Sequence, residues 1–252
     1  LKSWVADFRD GGVTDGYVGD EAVKVPAVED RHDLWDMYYE FGPNEAISTH
    51  KESMSYVVQL APGYRLFALN DDTNYKPEGE HGSGFSDDCM QWILEQLKDA
   101  QEQDQYVIAM THHPMIAPSP FYAIIGKGDM QRNHETTRET FADAGLHCML
   151  TGHTHVHNIS SIVTKKGNVF YDIACGAMIG CPPVMRTITF DPAHAKIDVD
   201  TTVIKEVPGL DTGGKPFDEY MKSFFFGMIS EVIWAMGNDI CLLYTSDAAD
   251  DM

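Results

Sequence analysis

Residues 106–114 read Tyr-Val-Ile-Ala-Met-Thr-His-His-Pro, and residues 147–155 read His-Cys-Met-Leu-Thr-Gly-His-Thr-His. Each opens as a short apolar run without polar alternation, the pattern of a strand covered on both faces. Each then runs straight into histidines. Between them, His134 to Ala144 has the composition of a helix that stops at Gly145. Strand, helix and strand in this order point to an α/β fold with ligand groups at the C-terminal ends of its strands, where loops leave the sheet.

Within Gly152-His153-Thr154-His155 the two histidines are two residues apart. If the segment is extended, their rings point to one side with Cα atoms roughly 6–7 Å apart. Such a spacing lets one ring reach each of two metal ions about 3.5–4 Å apart. Gly152 is expected to allow the sharp exit from its strand. His112 approaches from the neighbouring strand end, and Pro114 sets the direction of the loop after it. Neutral imidazoles suit zinc, iron or manganese ions, so His112, His153 and His155 form a plausible half-site.

Outward from these strands, Ser86 or Asp87 can cap a helix in which Met90, Ile93, Leu94 and Leu97 recur at i, i+3, i+4, i+7. Ser55–Leu60 and Tyr64–Leu69 read as strands joined by Ala61-Pro62-Gly63. A helix is expected from about Asp30 to Phe41, ended by Gly42-Pro43, and residues 1–28 read as loop. Strands are expected over Ile159–Thr164, Asn168–Ala174, Arg186–Phe190 and Lys196–Ile204, with a turn at Lys166-Gly167-Asn168. Residues 70–85 and 114–132 read as polar or proline-rich loops, the second suited to lie over a site. The stripe Phe217, Tyr220, Met221, Phe224, Phe225, Met228, Ile229 and Val232 reads as a packing helix.

The chain has 252 residues and a formal net charge of −21, which opposes binding to a phosphate backbone and makes a nucleic-acid partner unexpected. No apolar run reaches membrane-spanning length. The five cysteines show no CxxC pairing and read as reduced thiols, Cys175 and Cys181 included. A cytoplasmic location is the working expectation. The terminal stretch CLLYTSDAAD, Cys241 to Asp250, resembles translated sequencing-adapter read-through. The expected organisation is a partial catalytic domain over 1–208, a helical extension over 209–240 and read-through over 241–252.

Taken together, the helix ending at Phe41-Gly42, the strand opening at Ser55-Tyr56, the Gln91-Trp92-Ile93 helix, His112-His113-Pro114 and Gly152-His153-Thr154-His155 resemble the calcineurin-like metallophosphoesterase family. The likeness is to its cyclic-nucleotide phosphodiesterase and purple-acid-phosphatase-like branches and covers roughly residues 30–191. It implies part of a four-layer α/β/β/α sandwich and hydrolysis of a small phosphodiester or phosphomonoester by a metal-bound hydroxide. It also implies two manganese, iron or zinc ions, with His112, His153 and His155 as ligands. His113 and His157 are expected to support those ligands or touch substrate.

The family's Asp-x-His, Gly-Asp-x-x-Asp and Gly-Asn-His motifs are absent. Gly19-Asp20 fails the second because Val23 stands where an aspartate is needed. The expectation is therefore a chain lacking the first strands, inactive alone and holding at most one ion weakly. Tyr122, Lys127 and Arg132 could approach a phosphate, although a solvated loop face explains them as well. Asn70 and Asp71 end a strand close to the expected site, and turn chemistry accounts for them equally well. Two other readings stay open: a binding module without catalysis, and a zinc protein whose structural histidines need a fourth ligand, with Cys148 the nearest cysteine.

Overall fold

Four parallel strands form the centre of the fold: β5 (Tyr64–Ala68), β6 (Tyr106–Met110), β7 (Cys148–Thr151) and β9 (Val169–Ala174). In this computed structural model the described residues are 15–18, 21–24, 35–36, 38–39, 42–72, 83–120, 122, 130–191, 196–227 and 230. Antiparallel strands extend the sheet on both sides, giving the seven-stranded order β3-β4-β5-β6-β7-β9-β8. Here β3 is Ser48–His50, β4 is Ser55–Ala61 and β8 is Asn158–Val163. The fold is mixed α/β, as the strand and helix order implies.

Two helices cover one face. In α1 (Asp87–Glu102), Ser86 caps the N-terminus by accepting from Cys89 N at 3.2 Å, and Ile93, Leu97 and Ala100 are buried. In α2 (His134–Asp143), Phe141 is fully buried, and Gly145 just beyond it takes φ +89°, a conformation open to glycine. The core joins Ile93, Leu97 and Phe141 to Phe67, Ala109, Met149 and Phe170, which the strands present to both helices. Burying side chains of this size contributes about 1.5–3 kcal/mol each. Arg65, 3% exposed on β5, donates to Asp99 of α1 at 2.6 Å and fixes the helix against the sheet.

Two further hairpins form sheets of their own. Val184–Asp191 (β10) pairs with Lys196–Val203 (β11), and Arg186 anchors the pair by donating to Asn158 O and Ala174 O at 3.0 and 2.7 Å. The other, β1 (Asp15–Val18) with β2 (Glu21–Lys24), corrects the loop expectation for residues 1–28. Period 2 is hard to see in two strands of four residues punctuated by glycine. Strand β3 and the short 3-10 turns at 43–45 and 51–53 were also beyond the sequence reading.

Residues 217–227 are helical, with Phe217 and Met221 buried and Phe224 61% exposed, so the apolar stripe packs on one side. Met228, Ile229, Val232 and the segment 241–252 lie outside the described residues, as does most of the Asp30–Phe41 stretch. Within it, 35–36 and 38–39 are helical and Trp35 is buried. Among the described residues, no helix is long and apolar enough to cross a membrane.

Candidate metal centre

The four parallel strands end on one edge, and their exits carry every group of the site. The ladder continues past the strands through Leu69 N to Met110 O, Thr111 N to Leu150 O, Gly152 N to His112 O and Cys175 N to Thr151 O, at 2.7–3.0 Å. These bonds hold the turn after β6 directly beside the turn after β7. Pairing Met110 with Leu150 places His112 against Gly152 and brings His153 alongside.

His112, His113 and His153 converge there, each offering a ring nitrogen within 4.8 Å of the others. Ring centroids are 4.9 Å apart for His112–His113 and His112–His153, and 4.4 Å for His113–His153. His112 Nε2 and His153 Nδ1 lie 3.0 Å apart. Two nitrogens ligating one zinc-sized ion tetrahedrally at about 2.0–2.1 Å are separated by about 3.3 Å, so this pair needs little movement. Burial, followed by the facing charges of His113 and His153, pushes the His112 imidazole below its usual value, while Asp71 and Asp72 pull the other way. The net effect favours neutral imidazole, the form that ligates metals. By donor type and spacing, the trio fits a single metal ion.

Two buried carboxylates hold the His112–Ile116 turn. Asp71, 0% exposed after β5, accepts from His113 N at 2.9 Å, and the same Oδ2 lies 3.2 Å from His113 Nδ1. Asp172 on β9 accepts from Met115 N at 2.7 Å, Ile116 N at 2.9 Å and the Thr151 hydroxyl. Its burial pushes the carboxyl above the usual range, against the pull of those donors. Arg138 of α2 donates to Met115 O at 2.9 Å and fixes the turn from outside.

The expected ligands divide. His112 and His153 are brought together, and His113 joins them, whereas His155 is exposed and lies outside the trio. The geometric premise behind pairing His153 with His155 is corrected: the segment is bent, with both residues left-handed at φ 60° and 53°. Alternation of side chains along a strand therefore does not apply to them. Gly152 is not the left-handed residue.

His157 packs on Gly176, where a Cβ would come within 2.3 Å of its Nε2, and its Nδ1 accepts from Gly176 N at 3.1 Å. Tyr122 donates to Thr154 O at 3.1 Å, which ties the loop after Pro114 to the histidine turn. Arg132 lines a cavity of about 190 Å³ with Phe85 and Met90, and none of the three histidines is part of its lining. Lys127 lies outside the described residues.

Asn70 Oδ1 accepts from Asp72 N at 3.1 Å, the turn chemistry expected of it. Asp71 beside it does more than turn: its buried carboxylate holds the turn that carries His113. The available signal was its place three residues after β5, matching His113 three residues after β6. Cys89, Cys148, Cys175 and Cys181 are free thiols, and burial pushes Cys148 up to about 12.

No protein-family model matches this sequence, and no curated protein matches it. A solved structure of a dimetal phosphatase from Danio rerio is similar over 59% of this chain and 58% of its own length, with a TM-score of 0.43 and 16% identity. This chain thus spans little more than half the length of that structure.

Proposed function

We propose that this chain carries a metal-binding half-site of a phosphoesterase acting on phosphodiesters or phosphomonoesters. The observation that carries the reading is the trio His112, His113 and His153 at the C-terminal edge of a parallel sheet, without a fourth cysteine or histidine among the described residues of the group. Structural zinc sites close with four protein ligands, whereas reactive sites keep a position open. The open trio therefore weighs against the structural-zinc reading, and Cys148 is not part of the group.

A metal ion held by these imidazoles supplies Lewis acidity, which lowers the pKa of a water and offsets charge on phosphoryl oxygens. The chain's own residues do the positioning. His112 and His153 bring two nitrogens to within one coordination sphere, and the Asp71 and Asp172 carboxylates hold the turn that carries His113. His155, exposed two residues beyond His153, is the one we assign to substrate contact, whereas the His157 ring is packed on Gly176.

Two ions require bridging negative charge, and the carboxylates whose charge reaches His112 are Asp71 and Asp72. One ion, weakly held, is the expected load. The test is a cobalt(II) titration of the purified chain followed by visible absorption, then addition of inorganic phosphate. Saturation near one equivalent and a phosphate-induced change in the cobalt bands are expected, with little turnover of bis(p-nitrophenyl) phosphate. No saturable binding in wild type would remove the site. Binding that ignores phosphate, or that survives His112→Asn with His153→Asn, would remove the phosphoesterase reading.

A further inference from the structure

The parallel sheet has a second end, and what collects there belongs to no part of the histidine centre. Tyr64 opens β5 and Tyr106 opens β6, and the register sets them side by side. Their rings stack with centroids 5.4 Å apart at 24°, and Phe190 of β10 meets Tyr64 at 6.1 Å and 51°. Together with Val107, Ile108 and Ile197, these rings line a cavity of about 230 Å³. Strand β6 runs from this cavity to the exit that carries His112, so roughly 15–20 Å of sheet separates the two places.

The Tyr64 hydroxyl is buried and has no hydrogen-bond partner among the described residues. Buried tyrosine hydroxyls usually find one, and leaving such a group unmet costs about 1–3 kcal/mol. An apolar cavity of about 150 Å³ takes up benzene, so the larger volume here suits two fused rings. Pockets for small molecules combine aromatic and aliphatic walls with a few placed polar groups, as this one does. Lys196 also lines it but is paired with Asp198 at 2.7 Å. Apolar walls penalise an ion, and a net charge of −21 opposes an anion in particular.

We propose that this cavity binds an uncharged, planar aromatic molecule of two fused rings, its face on the aromatic walls and a hydrogen-bonding group on Tyr64 Oη. Each aromatic pair contributes about 0.5–1.5 kcal/mol beyond the area it buries, which favours a flat ligand over a puckered one of the same size. The site is independent of metal binding, because none of its lining residues belongs to the histidine trio.

The experiment titrates naphthol into the purified chain in chelator, followed by naphthol fluorescence, with the saturated analogue decahydronaphthol as competitor. Saturable binding at one equivalent is expected, with the analogue about tenfold weaker or more. Tyr64→Phe removes the hydroxyl alone and should weaken naphthol about 2- to 10-fold, the worth of one neutral hydrogen bond. Ile197→Trp, at a position 38% exposed, fills the cavity and should abolish binding. No saturable binding to wild type overturns the proposal. Binding that survives Ile197→Trp places naphthol elsewhere and overturns it as well. Equal affinity for the saturated analogue overturns the aromatic class, and unchanged affinity in Tyr64→Phe overturns the assigned hydrogen bond. Should Ile197→Trp not fold, methyl spectra of wild type decide. Ring-current shifts of the Ile108 and Ile197 methyls on adding naphthol support the proposal, and shifts elsewhere with these methyls unmoved overturn it.

Discussion

His153 takes φ 60°, a backbone region that costs a residue with a Cβ about 1–2 kcal/mol. The residue before it, Gly152, could adopt that conformation freely and does not need to. The arrangement turns the imidazole toward His112, at 3.0 Å, rather than along the strand direction. This makes a prediction with an unusual sign. His153→Gly relieves the left-handed backbone and His153→Ala does not, so the glycine variant is expected to be more stable by about 1 kcal/mol. Urea unfolding in chelator checks this, and both variants lose cobalt binding alike. An alanine variant as stable as the glycine one would show that the turn relaxes. At this scale the sequence was half legible. Histidines at two buried strand ends marked the place, with His112, His153 and His155 as the expected ligands. That His113 rather than His155 lies beside His112 and His153 was not legible, because it depends on two φ angles that side-chain periodicity does not encode.

Asp172 shows how an element acts on a site it does not enter. It sits within β9, yet its acceptor oxygens hold Met115 N, Ile116 N and the Thr151 hydroxyl, so it clamps the exits of β6 and β7 together. Removing it in Asp172→Ala leaves a buried N–H at Met115 and a half-buried one at Ile116 unmet, at about 1–3 kcal/mol for the buried group, for an expected loss of about 2–4 kcal/mol in chemical unfolding. Asp172→Asn retains an oxygen acceptor and should cost less. Burial raises the native pKa of this carboxyl, so the folded chain keeps a proton that the unfolded chain releases above about 3.9. The carboxylate therefore lowers stability progressively as pH rises from that value toward its native pKa. The wild-type advantage over Asp172→Asn is expected to be larger at pH 4.5 than at pH 7. An advantage that grows with pH would mean the three donors outweigh burial. Helix α1 and the strand Tyr106–Met110 were legible because cap, period and apolar run agree, whereas nothing in Val169–Ala174 announced that its one acid was a clamp.

At the scale of the whole molecule, a net charge of −21 surrounds a site proposed to take a cation and then an anion. A negative field raises the local concentration of divalent ions and lowers that of phosphate esters, and both effects fade as salt shortens the Debye length from about 10 Å at 0.1 M to about 3 Å at 1 M. The acidity that opposes binding to a phosphate backbone thus also bears on the proposed site. Cobalt affinity is expected to fall as sodium chloride rises from 0.05 to about 0.5 M, while phosphate binding to the cobalt-loaded chain strengthens over the same range. The two slopes are measured from one set of titrations, so ion-specific effects on the dye-free cobalt bands appear in both and cancel in their comparison. Asp71 gives this field a local origin: it is buried, screened less than surface charge, and its contribution should persist at high salt. In Asp71→Asn, the remaining salt dependence of cobalt binding should match wild type while the affinity at every salt concentration lies lower. Parallel lines separate the buried carboxylate from the acidic surface. Converging lines would place the effect of Asp71 in the general field instead of at the turn that carries His113.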